Sequence, residues 1–138
     1  EDAIFSELTP ISKFTFLKGM VFRNNNPAVF GIRIDVGNLK HKIPFMNMTG
    51  RKVGNIHQLQ LDKKTVSTAK TGDEVACSVQ DVTIGRQLFE EEIFYTFPPS
   101  HEAKLILKKF MHKLNSEELE VFNNIVRIQR EKEPVYGY

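Results

Sequence analysis

The sequence predicts a mainly β chain that closes with a pair of helices. Three observations carry this: apolar residues alternate with polar or small ones from Lys13 to Phe97, turn residues break that run at short intervals, and the period becomes helical after Pro98-Pro99. Many short strands at such spacing mean a sandwich or a closed barrel, and closure removes vulnerable edges.

Phe14, Phe16, Met20 and Phe22 make a first strand with one buried face. Val29 to Val36 makes a second, with Ile32, Ile34 and Val36 on one side. Ile43 to Met48, Val53 to Leu61, Val75 to Val79 and Ile93 to Phe97 continue the series. Turn signals fall between them: Asn24-Asn25-Asn26-Pro27, Gly37-Asn38, Thr49-Gly50, Asp62-Lys63-Lys64, Thr71-Gly72-Asp73 and Ile84-Gly85. Pro98-Pro99 ends the strand region, because proline cannot donate to a ladder. Ser100 then reads as an N-cap, followed at helical spacing by Ala103, Ile106, Leu107, Phe110, Met111 and Leu114. Asn115 caps a second helix, with Glu118 as its capping-box partner. The apolar stripe of that helix is Leu119, Phe122, Ile125 and Val126, widened by Val121 and Ile128, and Pro134 and Gly137 stop it. So short a connection predicts an antiparallel helix hairpin over 98–138, after a β unit over 12–97.

A length of 138 residues and 15.9 kDa fits one domain with an appendage. A hydrophobic share of 41% against 26% charged is enough apolar matter for a core. No run is long and apolar enough to span a membrane, and no stretch reads as a signal peptide. The one cysteine, Cys77, excludes an internal disulfide and points to a reducing compartment. A chain that starts Glu1-Asp2 reads as a piece of a longer protein. The net charge of +2 hides a division: residues 11–86 carry twelve Lys and Arg against five Asp and Glu, a local +7, while Glu1, Asp2 and Glu7 precede them and Glu90-Glu91-Glu92 follows.

Chemistry-bearing motifs are mostly missing. There is no phosphate-binding loop of the GxxxxGK[ST] type, and Thr49-Gly50-Arg51-Lys52 lacks its upstream glycine. His41, His57, His101 and His112 form no close pair, so no metal site is expected. Cys77 in an apolar strand reads as structural, with a nucleophile pair to His57 unsupported, and the Glu90–Glu92 run reads as a solvated turn. What remains is basic: Arg23 with Asn24 and Asn25, Lys40-His41-Lys42, Arg51-Lys52 and Lys63-Lys64 fall in or beside turns. Clustered at one end of a barrel they would meet phosphates, sugars and bases; left scattered they are ordinary solubility charges. The same two readings apply to Lys104, Lys108 and Lys109, while the broad apolar face of the second helix suggests a groove or partner surface.

Phe22-Arg23-Asn24-Asn25-Asn26-Pro27-Ala28-Val29-Phe30-Gly31-Ile32, followed by Gly37-Asn38-Leu39-Lys40, resembles the opening of the last domain in the initiation factor 5B family, whose bacterial members are factor 2. Gly50-Arg51-Lys52-Val53-Gly54-Asn55-Ile56, Ala69-Lys70-Thr71-Gly72-Asp73-Glu74-Val75-Ala76 and Gly85-Arg86-Gln87-Leu88 match further family elements in order. Pro134-Val135-Tyr136-Gly137 resembles the archaeal ending, so the resemblance covers essentially the whole chain.

That resemblance implies a closed β-barrel similar to domain II of elongation factor Tu, with 1–11 as the end of a connecting helix. It implies a domain that holds the methionylated acceptor end of initiator tRNA and helps the small and large ribosomal subunits join. GTP and magnesium would belong to a GTPase domain outside this chain, leaving no cofactor or catalytic residue here. By position, Gly31, Ile32, Leu61, Gly72, Glu74, Val75 and Ala76 correspond to the methionine pocket, with Glu74 facing the free α-amino group. The bacterial pocket offers a basic residue near Leu61, for which Lys63 is the nearest substitute. Arg23, Asn24, Asn25, Lys63 and Lys64 would contact the acceptor strand. In eukaryotic members the helices receive the tail of initiation factor 1A, which would place Lys104, Lys108, Lys109, Phe110, Leu119, Phe122 and Ile125 in a partner groove. A protein-docking module for factor 1A or a ribosomal protein is therefore the alternative function. Either way a cytoplasmic monomer with no membrane partner is expected.

Overall fold

The alternation in the sequence becomes a ring of antiparallel strand pairings in the computed structural model, which describes residues 2–138. A short helix α1 (Asp2–Glu7) leads into β1 (Lys13–Arg23), β2 (Ala28–Val36), β3 (Leu39–Lys40), β4 (Pro44–Asn47) and β5 (Lys52–Leu61). Then follow β6 (Lys64–Val66), β7 (Thr68–Ala69), β8 (Glu74–Val79) and β9 (Ile93–Thr96). Neighbours lie in the order β4-β9-β1-β2-β8-β5-β6, and β4 also pairs with β5, so the hydrogen bonding returns on itself. The short β3 and β7 form a separate ribbon. Neither they nor β6 were visible in the sequence pattern, since two or three residues carry no period.

Phenylalanines fill the inside of the ring. Phe14, Phe16, Phe30, Phe45 and Phe94 are fully buried, and each such side chain contributes about 1.5–3 kcal/mol of transfer free energy. Phe16 stacks on Phe30 at 4.4 Å between centroids, and Phe14 lies 5.5 Å from both Phe45 and Phe94. The next residues along β4 and β9, Met46 and Tyr95, point out of the ring into a second core. There they meet Ala103, Ile106, Phe122, Ile125 and Tyr136 from the C-terminal segment. Val36, expected beside Ile32 and Ile34, packs on this second core instead.

The C-terminal segment departs from the predicted hairpin in its first half. The helix α2 (Ser100–Leu105) widens into a π turn over Ile106–Phe110 and tightens into a 3₁₀ turn over Met111–Lys113. Ile106 and Phe110 are buried while Leu107, Met111 and Leu114 are half-buried. Ser100 is not the N-cap. Extended Pro99 takes that position and its carbonyl receives the N–H groups of Glu102 and Ala103, both at 3.0 Å. The Ser100 hydroxyl accepts the Gly137 N–H at 2.9 Å instead. In α3 (Ser116–Lys132) the capping box forms as predicted: Glu118 N–H donates to Asn115 Oδ1 at 2.8 Å, and Asn115 N–H to Glu118 Oε1 at 2.9 Å.

Polar ties hold the two parts together. Buried Gln129 on α3 donates through Nε2 to the Gly50 carbonyl at 2.8 Å, reaching the β4–β5 turn. Gly50 stands at φ +87, and a Cβ there would come within 2.7 Å of Ile128 Cγ2, so only glycine fits beneath α3. The Tyr136 hydroxyl donates to the Pro98 carbonyl at 2.5 Å, and burial pushes its phenol pKa upward. Helix α1 rests on the same layer: Phe5 meets the Phe110 ring at 5.4 Å, and Thr9 N–H donates to Glu102 Oε1 at 2.7 Å. Of the stretch 1–11, Glu1 lies outside the described residues. Among the described residues no helix is long and apolar enough to cross a membrane.

Tyr136→Phe leaves the buried Pro98 carbonyl unpaired, and urea unfolding should show a loss of about 1–3 kcal/mol. Asn115→Ala removes one side of the capping box and should cost about 1 kcal/mol in the same measurement.

Candidate functional site

Irregular pairing in the second half of β1 builds the most chemically suggestive surface. The β1–β2 register shifts between Phe16 and Val21, and Gly19 sits there at φ +76. The bulge reverses which side chains face inward. Phe14 and Phe16 enter the core, Val21 packs against it, and Met20 and Phe22 stand outside, 37% and 59% exposed. The expectation that all four aromatic and methionine side chains share one buried face is corrected by this bulge. The displaced Gly19 N–H donates to Glu90 Oε1 at 2.5 Å. Nearby, Glu91 N–H donates to the Phe16 carbonyl at 2.8 Å, and Phe16 N–H donates to the Glu92 carbonyl at 2.9 Å. The acidic run thus braces the bulged strand. Burial raises the Glu92 carboxyl pKa, partly offset by its hydrogen bond from the Phe89 backbone.

Beside the bulge a cavity of about 460 Å³ opens on the outer face of the ring. Leu17, Met20 and Phe22 supply one wall from β1, and Val29 and Gly31 continue it on β2. Glu74, Val75 and Ala76 come from β8, Gln60 from β5, and Asp62 and Lys63 from the β5–β6 turn. Register explains the convergence: Gly31 lies opposite Ala76, and Ala76 opposite Gln60, so small residues form a floor between longer ones. Gly31 is needed there, because a Cβ would meet Met20 Cβ at 2.7 Å. Asp62 and Lys63 have φ of 52 and 67, the two left-handed residues of a type I′ hairpin turn. Lys64 pairs with Leu61 as the first residue of β6 and is not in the turn.

Charge at the rim is mixed. Arg33 donates to Asp35 Oδ1 at 2.8 Å, and Thr15 Oγ1 donates to Asp35 Oδ2 at 2.5 Å. Asp35, with a smaller contribution from Glu74, raises the Arg33 guanidinium pKa above its ordinary value, so Glu74 lies in the field of a cation. A second cavity of about 290 Å³ shares Val29, Gln60 and Ala76 with the first and adds Arg23, His57, Gln58, Ser78 and Gln80. Arg23 Nε donates to the Asn25 carbonyl at 2.9 Å, and Ile84 N–H donates to the Asn24 carbonyl at 2.9 Å. Cys77 lies beneath this floor, and burial pushes its thiol pKa up, which keeps it protonated and unreactive. Among the described residues no three His, Cys, Asp or Glu side chains gather to hold a metal.

The family described as elongation factor Tu domain 4 matches residues 10–95 of this chain. The probable translation initiation factor IF-2 of Methanopyrus kandleri is 37% identical over 95% of the chain and 22% of its own length. That of Ignicoccus hospitalis is 36% identical over 97% of the chain and 22% of its own length. The crystal structure of GDP-bound aIF5B from Aeropyrum pernix matches with a TM-score of 0.87 at 33% identity, over 96% of this chain and 22% of that one. The chain belongs to the IF-2/5B family of translation initiation factors. It corresponds to the C-terminal domain of those factors and spans about a fifth of the length of the curated relatives it matches.

Within this IF-2/5B domain, the structure brings together Gly31, Glu74, Val75, Ala76 and Lys63, with Arg23 in the adjoining cavity. It separates others. Ile32 is fully buried in the inner core, and Leu61 is half-buried against that core. Gly72 belongs to the preceding turn, where at φ +92 its N–H donates to the Ile34 carbonyl at 2.8 Å. Asn24, Asn25 and Lys64 are exposed but line neither cavity. Leu17, Met20, Phe22, Val29 and Gln60 went unassigned in the sequence, and Gly19 inside a strand pattern was the available signal for the first three. On the helices, Phe122 and Ile125 are buried in the second core, Phe110 is buried with its ring against Phe5, and Leu119 is half-buried, so most of the expected apolar groove lining is occupied by the molecule itself. Lys104, Lys108 and Lys109 remain exposed.

Gly31→Ala must push Met20 away from the floor. Overpacking of this kind should cost about 1–3 kcal/mol, read as a lowered urea midpoint at an unchanged slope.

Proposed function

We propose that this domain binds the methionylated 3′ end of initiator tRNA, as part of a ribosome-dependent GTPase whose GTP and magnesium lie in another domain. The observation that carries it is the 460 Å³ cavity, an apolar cup with two carboxylates, Asp62 and Glu74, and the Lys63 ammonium at its rim. Leu17, Met20 and Val29 suit a flexible thioether side chain, because polarizable and aliphatic groups adapt to its shape. Glu74 would accept from the free α-amino group of the methionyl ester. Phe22, more than half exposed, offers the terminal base a stacking face, and Lys63 and Arg23 meet phosphates. In this reading the ring of strands is the closed barrel implied by the family, and the domain works in the cytoplasm, as a monomer, where the two ribosomal subunits join.

The exposed Lys104, Lys108 and Lys109 favour one additional partner, an acidic protein tail such as that of initiation factor 1A, held by charge on the helices.

Protection of the Met-tRNA ester from hydrolysis by the domain tests the main reading. Glu74→Gln and Lys63→Asn, the latter chosen because asparagine tolerates positive φ, should each weaken protection about tenfold, the ~1.5 kcal/mol of a charged hydrogen bond. Protection should fall steeply with salt. Full protection by both variants would overturn the assignment.

A further inference from the structure

Burial sorts the methionines of the chain into two kinds. Met46 is fully buried, its Sδ accepting from Gln129 Nε2 at 3.1 Å, and Met111 is half-buried against the second core. Met20 and Met48 are 37% and 42% exposed, within reach of a dissolved oxidant. Their surroundings differ. Met48 stands in the β4–β5 turn, whereas Met20 is a wall of the 460 Å³ cup. The bulge at Gly19 that turns Met20 outward also lays it flat. A Cβ on Gly31 would lie 3.3 Å from both Cγ and Cε of Met20, so the thioether between those carbons runs along the floor of the cup. Leu17, Phe22, Val29 and Val75 give the same cavity its apolar lining. Of the side chains that line it, only Gln60 and Lys63 can donate a hydrogen bond, since the Asp62 and Glu74 carboxylates only accept.

We propose that Met20 is a modification site, oxidised reversibly to the sulfoxide by hydrogen peroxide, and that the sulfoxide closes the cup to an apolar side chain. The inference rests on the methionyl reading of the cup and adds a switch to it. A thioether lone pair attacks one peroxide oxygen, and the O–O bond breaks as the S–O bond forms. The proton of the attacked oxygen passes to the departing hydroxide, which leaves as water; sulfur loses two electrons and the peroxide gains them. A dithiol reverses the change, becoming a disulfide while the sulfoxide oxygen and two protons leave as water. The new oxygen is a polar acceptor on what was an apolar wall. Left among Leu17, Phe22 and Val29 it goes unpaired when a ligand excludes water, at the cost of desolvating a polar group. Turned to Lys63 it occupies the ammonium that meets the acceptor strand. Both arrangements oppose the methionyl end. Met48 has the same chemistry available and no cavity to alter, which makes it an internal control.

The experiment treats the native chain with graded hydrogen peroxide, removes the peroxide, and then measures two things. Peptide mass spectrometry gives the sulfoxide fraction at each methionine, and hydrolysis of added Met-tRNA gives ester protection. Met20 and Met48 should oxidise well ahead of Met46. Protection should fall in step with the Met20 sulfoxide, reaching about tenfold weaker binding when that site is fully oxidised. Met48→Leu should start at the native level and lose protection to peroxide as the native chain does. Met20→Leu, compared with its own untreated sample, should lose none. A dithiol-dependent methionine sulfoxide reductase should restore the native chain, and the urea midpoint of the oxidised chain should stay at its untreated value. The inference is overturned if Met20 oxidises no faster than Met46, if the Met20 sulfoxide protects fully, if Met20→Leu loses protection like the native chain, or if the loss follows a fall in the urea midpoint. Failure of the methionyl reading looks different: the untreated native chain then gives no protection, and the switch falls with it. Protection that peroxide does not touch removes the switch alone.

Discussion

Strand β4 is hydrogen-bonded on both edges, to β9 and to β5, and the remaining architecture depends on that double pairing. It brings the series back on itself at β5, with β6 left outside the ring, so the phenylalanines of β1, β2, β4 and β9 face one another across a common interior. Its pleat sends Phe45 inward and Met46 outward, and β9 does the same with Phe94 and Tyr95. A slip of one residue would exchange those sets and empty both cores at once. The outward pair gives the C-terminal segment its seat, and Gln129 hydrogen-bonded to Gly50 ties that segment to the turn leaving β4. The helices are therefore a cover for one side of the ring, and the other side stays open.

On the open side, the cup owes its existence to a bulge. Regular pairing through Gly19 would bury Met20 and Phe22 beside Phe14 and Phe16, in a core with no room for them. The bulge turns them out, and Met20 then closes over Gly31, where a side chain has no space. Two glycines of opposite purpose make the wall and the floor: one permits a left-handed backbone, the other a close approach. Glu90 accepting the freed Gly19 N–H gives the acidic run a structural task, which explains why negative charge accompanies an otherwise basic β unit.

Charge is distributed to match. The basic residues that line cavities of the β unit, Arg23, Lys42, Lys52 and Lys63, stand at its strand ends and turns. Lys104, Lys108 and Lys109 instead face solvent from the C-terminal segment, whose apolar side forms the second core. Net charge says little about such a molecule, because fields act over about a Debye length and are set by local groups.

The sequence by itself determined the major strands, the switch to helices at Pro98-Pro99, the Asn115–Glu118 cap, the buried Cys77 and the family. Alternation, helical spacing and capping are local relations, read without knowing what lies across the chain. It also named much of the cup, since Gly31, Glu74, Val75, Ala76 and Lys63 sit in strings whose order is distinctive. Only the tertiary structure decided which face each residue shows. Ile32 and Leu61 were assigned to the pocket and belong to the core side; Phe110, Phe122 and Ile125 were assigned to a partner groove and pack under the helices. Met20 and Phe22 made the reverse move, from core to cup. The physical reason is common to all of them: a β residue's face is fixed by register, a bulge inverts register from one residue to the next, and a helix residue is buried only if something covers it.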